Sequence, residues 1–266
     1  MSQPSVHELY RLVSRVGKGA YGSVYKGEHI PTGKVVAIKS IDFDNANGDD
    51  DVADIQREVS LLTQLRDCPN ITKYYGCYLH KAVLWIVMEF AQGGSVDSVM
   101  KASPNGCIKE LHAAIIIREI LIALAYLHKV PVIHRDIKSA NILITAAGNV
   151  LLCDFGVSAL LATSVSKRLT FTGTLHFMAP EVLQEYAYDT KADIWSLGGV
   201  VHEMIKGKPP FYHLTNAHDA IQQIPRSSPP RFTENEASKQ LREFMGYCLK
   251  ESPAEVCFSA RSSHIC

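Results

Sequence analysis

The residues best able to do chemistry fall into a few short clusters. Gly17-Lys18-Gly19-Ala20-Tyr21-Gly22 has the spacing GxGxxG. Glycines so spaced let backbone amides come close to a phosphate group. Alone, the pattern also fits a dinucleotide-binding turn, or glycines needed only for a tight turn. A dinucleotide turn opens a helix, whereas here Ser23-Val24-Tyr25-Lys26 continues with β-prone residues and a second turn follows at Thr32-Gly33. The motif therefore caps a hairpin. Val36-Ala37-Ile38-Lys39 lies on the next strand and places a lysine under that loop. Nineteen residues later, Glu58 is flanked by Ile55, Val59 and Leu62, which favours an inward partner for its carboxylate. A lysine beside phosphates needs such a group to fix its direction and keep it charged.

Further along stand His134-Arg135-Asp136-Ile137-Lys138-Ser139-Ala140-Asn141, then Asp154-Phe155-Gly156 eighteen residues after Asp136, then Met178-Ala179-Pro180-Glu181. Any one of these arises by chance, as turn residues or solvated charges. Together, in this order, they form a strong signal.

These clusters need elements to hold them. Leu12–Val16, Ser23–Glu28 and Lys34–Ile41 read as three strands of an antiparallel meander. The acidic stretch Asp42–Asp54 reads as a solvated loop or the first turn of a helix. From Ile55, the residues Ile55, Val59, Leu62 and Leu65 mark one face of a helix. Ile71–Tyr78 and Val83–Phe90 are two more strands, and Gln92-Gly93-Gly94-Ser95 is the best hinge. Beyond it the pattern turns helical. Leu111–His128 is apolar nearly all round, as expected of a helix in the middle of a lobe. Asp193–Lys206 carries Ile194, Leu197, Val201 and Ile205 on one side, and Glu236–Cys248 is a third helix after the loop Pro225–Pro230. A small β-rich lobe thus precedes a larger helical lobe, with no internal repeat.

Composition narrows the class. The 266 residues carry 27 Lys and Arg against 27 Asp and Glu, so the formal charge is zero, which argues against a dedicated nucleic-acid binder. A hydrophobic share of 47% and a charged share of 20% exclude collagen-like, low-complexity and wholly disordered chains. The length suits one large domain or two small lobes. Seven cysteines, an odd count without a CxxC pair, together with an N-terminus lacking an apolar export core, point to a reducing, cytoplasmic setting. The apolar stretch Ala113–Leu127 is interrupted by Arg118 and Glu119 and reads as a buried helix rather than a membrane span.

The assembled motifs resemble those of a eukaryotic protein kinase over about residues 10–255. Within that class the chain looks most like the germinal-centre branch of the sterile-20 group, on Ile71-Thr72-Lys73-Tyr74-Tyr75-Gly76, Leu84-Trp85-Ile86, Gly93-Gly94-Ser95-Val96, Cys153-Asp154-Phe155-Gly156-Val157 and Phe171-Thr172-Gly173-Thr174. The resemblance implies an α+β, two-lobed kinase domain over 1–266. Its N-lobe is about 10–91, its hinge about 89–95, its C-lobe about 96–255, and 256–266 form an atypical tail. It implies ATP and Mg²⁺ as cofactors. Gly17, Lys18, Gly19, Ala20, Tyr21 and Gly22 would cover the phosphates. Lys39, steered by Glu58, would hold the α- and β-phosphates, and Asn141 and Asp154 would bind Mg²⁺. Asp136 would orient the acceptor hydroxyl and take its proton, with Lys138 at the γ-phosphate. Val24, Ala37 and Leu143 would sandwich the adenine, the backbone from Glu89 to Ala91 would bond its edge, and Met88 would stand behind it. His134 and Asp193 would be structural.

Lys138 and Thr174 resemble Ser/Thr rather than Tyr kinases. Thr170, after Lys167-Arg168-Leu169, aligns with the activation phosphosite, and Arg135 would pair with its phosphate. The partners implied are protein substrates with Ser or Thr acceptors and a helical-repeat scaffold, without nucleic acid or a membrane span. Two departures stand out. Leu175 and Phe177 replace a proline and a tryptophan where substrate is received. Val256 replaces the arginine that pairs with Glu181, and a buried carboxylate without its partner costs on the order of 3–5 kcal/mol. The altered C-terminus is the one feature favouring a rival reading, a kinase-fold scaffold with weak catalysis. A small-molecule dinucleotide enzyme fails on the hairpin context of the glycines.

Overall fold

Alternation along one strand organises the first part of the chain. A short helix, α1 (Val6–Leu9), leads into β1 (Tyr10–Gly19), β2 (Gly22–His29), β3 (Lys34–Asp42), β4 (Tyr74–His80) and β5 (Val83–Glu89). These strands form an antiparallel sheet in the order β1-β2-β3-β5-β4. In β3, Val36 and Ile38 are buried on one face and Ala37, Lys39 and Ile41 on the other, the pattern of a strand covered on both sides. The first face packs Val36 and Ile38 with Trp85, Val87, Tyr10 and Val6 of α1. Four residues show no periodicity, so α1 leaves no trace in the sequence pattern. It forms because the Ser5 amide donates to Glu8 Oε2 at 2.8 Å and because Val6 is buried. The fourth strand starts at Tyr74 rather than Ile71, three residues later than expected.

The computed structural model describes residues 5–19, 22–42, 63, 65, 67–130, 132–154 and 172–256. The chain divides into two compact units, Met1–Asp67 with Ile71–Gln92, and Cys68–Asn70 with Gly93–Cys266. The helix expected from Ile55 lies outside the described residues.

The second unit is mainly helical. A small antiparallel sheet of β6 (Gly94–Ser95), β7 (Ile142–Ile144) and β8 (Val150–Leu152) accompanies α2 (Val96–Ala102), α3 (Glu110–Lys129), α4 (Thr172–Leu175), α5 (Pro180–Leu183), α6 (Lys191–Lys206), α7 (Ala217–Gln223) and α8 (Lys239–Cys248). Side-chain caps set several starts: Ser95 Oγ accepts from the Ser98 amide, Asn216 Oδ1 from His218 and Ser238 Oγ from Leu241. The last of these corrects the expected start at Glu236. That residue accepts from the Thr233 amide at 2.9 Å and pairs with Lys206, so it belongs to the preceding turn. The expected loop from Pro225 begins inside a 3-10 turn, Ile224–Arg226.

α6 is buried almost all round. A Cβ at Gly198 would stand 2.8 Å from Leu249 Cδ2 and 2.9 Å from Cys248 Cβ, so α8 and the residue after it close directly on the helix. The expectation that α3 is apolar on every side because it is buried on every side needs correction. Ala113, Ile116, Ile117, Ile120, Leu121, Ala123, Leu124 and Leu127 are buried, but Leu111, Ile115, Ile122 and Tyr126 are exposed. Among the described residues, α3 is the one helix long and apolar enough to cross a membrane by length and composition. Its buried side instead forms core of this unit.

The C-terminal departure involves two buried residues, Val256 and Glu181. Val256 is buried, and the buried ammonium of Lys191 donates to the backbone carbonyls of Val256 and, at 3.4 Å, Pro253. Val256 is therefore held at its carbonyl by a lysine at the start of α6. Glu181 is buried as well and has no ion pair among the described residues, and burial lifts its carboxyl above the ordinary range. A raised folded pKa contributes stability that is present below the unfolded pKa and lost as pH rises through the folded one. Glu181→Gln should therefore raise the melting temperature by a few degrees at pH 8 and leave it unchanged near pH 4. A drop in melting temperature at pH 8 would show that the carboxylate is well paired.

Candidate active site

The first unit carries its candidates on one face of the sheet. Gly17 stands opposite Val24, Val24 opposite Lys39, and Lys39 opposite Ile86, so a single rung crosses four strands. Directly opposed residues share a face. Ala37, two residues before Lys39, is paired with Met88 and so joins the same face. Lys18 and Gly19 pair with Ser23 and Gly22 at the hairpin end. The Glu89 amide donates to the Lys73 carbonyl at 2.8 Å, and Ala91 is buried beyond it.

The glycines of the hairpin are required for different reasons. Gly22 has φ 152°, and a Cβ there would meet the Ser40 carbonyl oxygen at 2.0 Å, so the fold itself demands glycine. At Gly17 the nearest atom to an added Cβ is Val24 Cβ at 3.8 Å, an ordinary contact. Nothing in this unit's own packing requires glycine at 17. The space beside Gly17 is therefore open on the side of the described residues.

The second unit builds its loop around one buried carboxylate. Asp193 is fully buried and accepts from the backbone amides of His134 at 2.9 Å and Arg135 at 2.8 Å, and bonds His128 Nε2 at 2.9 Å. Arg135 is thereby held in the left-handed region (φ 70°), a conformation rare outside glycine. His134 Nε2 bonds the Cys153 carbonyl at 3.0 Å, and the Asp136 amide donates to His134 Nδ1 at 3.3 Å. A carbonyl only accepts and an amide only donates, so the proton sits on Nε2 and the ring is neutral. Burial lowers its pKa below the ordinary 6.5, in agreement.

This frame converges on Asp136. Lys138 Nζ lies 2.9 Å from Asp136 Oδ2 and donates to Thr174 Oγ1 at 3.4 Å. Asn141 Nδ2 donates to the Asp136 carbonyl at 2.8 Å and to Asp136 Oδ2 at 2.9 Å. With its NH₂ engaged twice, Asn141 keeps its amide oxygen for another partner. The Cys153 amide donates to the Asn141 carbonyl at 3.0 Å, which ties Asp154 to the same loop. Asp154 is also left-handed, with φ 57°. Such strain persists where surroundings over-determine it, and it clusters at functional sites. Leu143 lies on β7, opposite Leu151 and Ser95. Cys153 is buried.

Residues 10–259 match the protein kinase domain. The chain belongs to the protein kinase family. It is 46% identical to the serine/threonine-protein kinase KIC1 of Saccharomyces cerevisiae, over 94% of this chain and 23% of that protein. It is 44% identical to the serine/threonine-protein kinase dst1 of Dictyostelium discoideum, over 93% of this chain and 33% of that protein. To serine/threonine-protein kinase 4 homolog A of the same organism it is 42% identical, over 95% of this chain and 54% of that protein. This kinase domain thus spans about a quarter to a half of the length of these relatives.

Ala20, Tyr21, Glu58 and Thr170 lie outside the described residues. Two kinase-loop contacts had little sequence signal. His128, the third partner of Asp193, reads as one more polar residue at a helix end. Glu203 lies beside the Ser139 hydroxyl, two residues before Asn141, and burial lifts its carboxyl above the ordinary range. Its only signal is that it is the one carboxylate in the run Leu197–Ile205.

Proposed function

We propose that this chain is an ATP-dependent serine/threonine protein kinase of the germinal-centre type, acting on protein hydroxyls in the cytoplasm. The observation that carries the reading is the convergence of Lys138, Asn141 and Thr174 with Asp136. Phosphoryl transfer asks for positioning and charge neutralisation more than covalent chemistry. Asp136, its Oδ2 fixed by Lys138 and Asn141, is oriented to receive the proton of an acceptor hydroxyl. Lys138 carries positive charge beside that oxygen, where a transferred phosphoryl group would need it. The amide oxygen of Asn141 and the carboxylate of Asp154 are the hard oxygen donors that suit Mg²⁺. Bound there, the ion would neutralise phosphate charge. In the first unit, the hairpin Gly17–Gly22, including Lys18, Gly19, Ala20 and Tyr21, is assigned to the phosphates, with Lys39 on the same sheet face as Val24. Glu58 is its steering carboxylate. Val24, Ala37, Met88, Glu89 and Ala91 are assigned to the base.

Regulation is proposed through Thr170. Arg135 is held at its backbone by Asp193, and its guanidinium lies 5.8 Å from the centre of the Tyr188 ring. A phosphate at Thr170 paired with this arginine would order the segment. Thr170→Ala should lower activity about tenfold or more, since loop ordering is typically worth 1–3 kcal/mol, while Ser164→Ala and Ser166→Ala leave it nearly unchanged. Equal losses in all three would remove Thr170 as the switch. The reading as a whole is tested by incubating the chain with MgATP and a generic basic protein, then mapping phosphopeptides. Phosphoserine or phosphothreonine in the acceptor is expected. Only background incorporation would contradict the assignment.

A further inference from the structure

The exposed side of α3 is unusual for its chemistry. Leu111, Ile115, Ile122 and Tyr126 are 73%, 43%, 37% and 38% exposed. With Arg118 between them they follow one another at intervals of four, three, four and four residues. At 100° per residue this traces one straight stripe along the helix, opposite the side buried in the core. Four large apolar residues on one stripe, two on either side of Arg118, are more than scattered surface hydrophobics.

The charges at the middle of the stripe say what fits it. Arg118 sits on one flank and Glu119, 100° further round, on the other. Arg118 Nε and Nη2 both bond Glu119 Oε1, at 2.9 and 2.6 Å. Glu119 Oε2 accepts from Asn70 Nδ2 at 2.7 Å, and Asn70 is itself bonded to the Val150 carbonyl. The carboxylate is therefore anchored on its flank, while the arginine, 57% exposed, lies across the stripe to meet it and is free to exchange this partner for the same carboxylate of another copy.

We propose that the stripe is a self-association surface, occupied by the α3 of a second copy of this chain packed in parallel. A two-fold axis parallel to the helix carries the left flank of one copy to the right flank of the other. Arg118 of each copy then faces Glu119 of its partner, twice, while Leu111, Ile115, Ile122 and Tyr126 each meet their own counterparts. An antiparallel pair keeps each flank on its own side and sets Arg118 against Arg118. The charge pattern thus selects the parallel arrangement. The four-three spacing is that of helices crossing at a shallow angle. A single helix pair buries less than a standard interface, so the dimer is a weak one, in the micromolar range or above.

The test is sedimentation equilibrium of the whole chain over a concentration series up to about 1 mM, with each variant's melting temperature measured alongside. A monomer–dimer equilibrium is expected. Ile122→Glu should abolish dimerisation. Arg118→Glu, which sets like charges across both flanks, should weaken it about tenfold or more, and Ile122→Ser serves if the glutamate variant melts early. Leu111→Cys should give a disulfide-linked dimer beyond any formed by the parent chain, because an antiparallel pair would hold the two Cys residues about 22 Å apart. A chain that stays monomeric would overturn the proposal and leave the stripe to another occupant. So would a dimer indifferent to Ile122→Glu, a dimer strengthened or unchanged by Arg118→Glu, or a Leu111→Cys dimer without the new link.

Discussion

Asp193→Ala is expected to lower the stability of the chain by about 3–5 kcal/mol, the cost of breaking a buried charged network. Asp193 is fully buried and serves three donors at once, the amides of His134 and Arg135 and the His128 ring. Each buried donor left without an acceptor costs about 1–3 kcal/mol. The carboxylate comes from α6, while its donors come from the end of α3 and the segment after it, so its loss unties three points at once. The left-handed conformation of Arg135 also loses its restraint. In a chain of this size the loss corresponds to a fall in melting temperature of roughly 10 °C. Asp193→Asn should fall between the two, since its oxygen still accepts but its NH₂ opposes the donors. A melting temperature within a degree of the parent would mean that the loop is held by other contacts.

Lys39→Met is expected to lower phosphoryl transfer by at least about a hundredfold while leaving the melting temperature nearly unchanged. Removing one preorganised charge from a transition state typically costs this much. The stability expectation follows from β3. The apolar stem of Lys39 lies between Ala37 and Ile41 on a buried face, opposite Val24 and Ile86, and a methionine preserves those contacts. The loss should appear mainly in kcat rather than in the KM for the acceptor protein. Full activity in this variant would remove the lysine from the chemistry. A collapse in stability would instead make it structural.

Much of this architecture was legible in the sequence. Strands β1 to β3 and β5 follow β-prone runs between turns, and their ends shift by only a few residues. The loop from His134 to Asn141 is a local motif, so its members come together whatever surrounds them. Asp193 was legible as a brace for His134 and Arg135 only through the family resemblance, since the residues that it joins are far apart in sequence. Other features were illegible for physical reasons. α1 is too short for periodicity, and the two-residue strand β6 exists only through its pairing with β7. In α3 the apolar pattern showed a core helix but not which apolar residues the neighbours leave uncovered. Burial of Leu121 and exposure of Ile122 depend on tertiary packing alone. Lys191 would pass for a solvated residue at a helix start, yet it is buried because the chain brings the carbonyls of Pro253 and Val256 onto it. At Val256, where the family resemblance expects an arginine, this lysine holds the backbone carbonyl but does not pair with Glu181.

The central claim is that this chain transfers phosphoryl groups from ATP to serine or threonine hydroxyls. The most direct test is incubation of the purified chain with γ-labelled ATP, Mg²⁺ and a generic basic protein, followed by phosphoamino-acid analysis of the acceptor, with Lys39→Met run in parallel. Labelled phosphoserine and phosphothreonine that vanish with Lys39→Met are predicted. Label on tyrosine alone, or equal label with and without Lys39, would contradict the account.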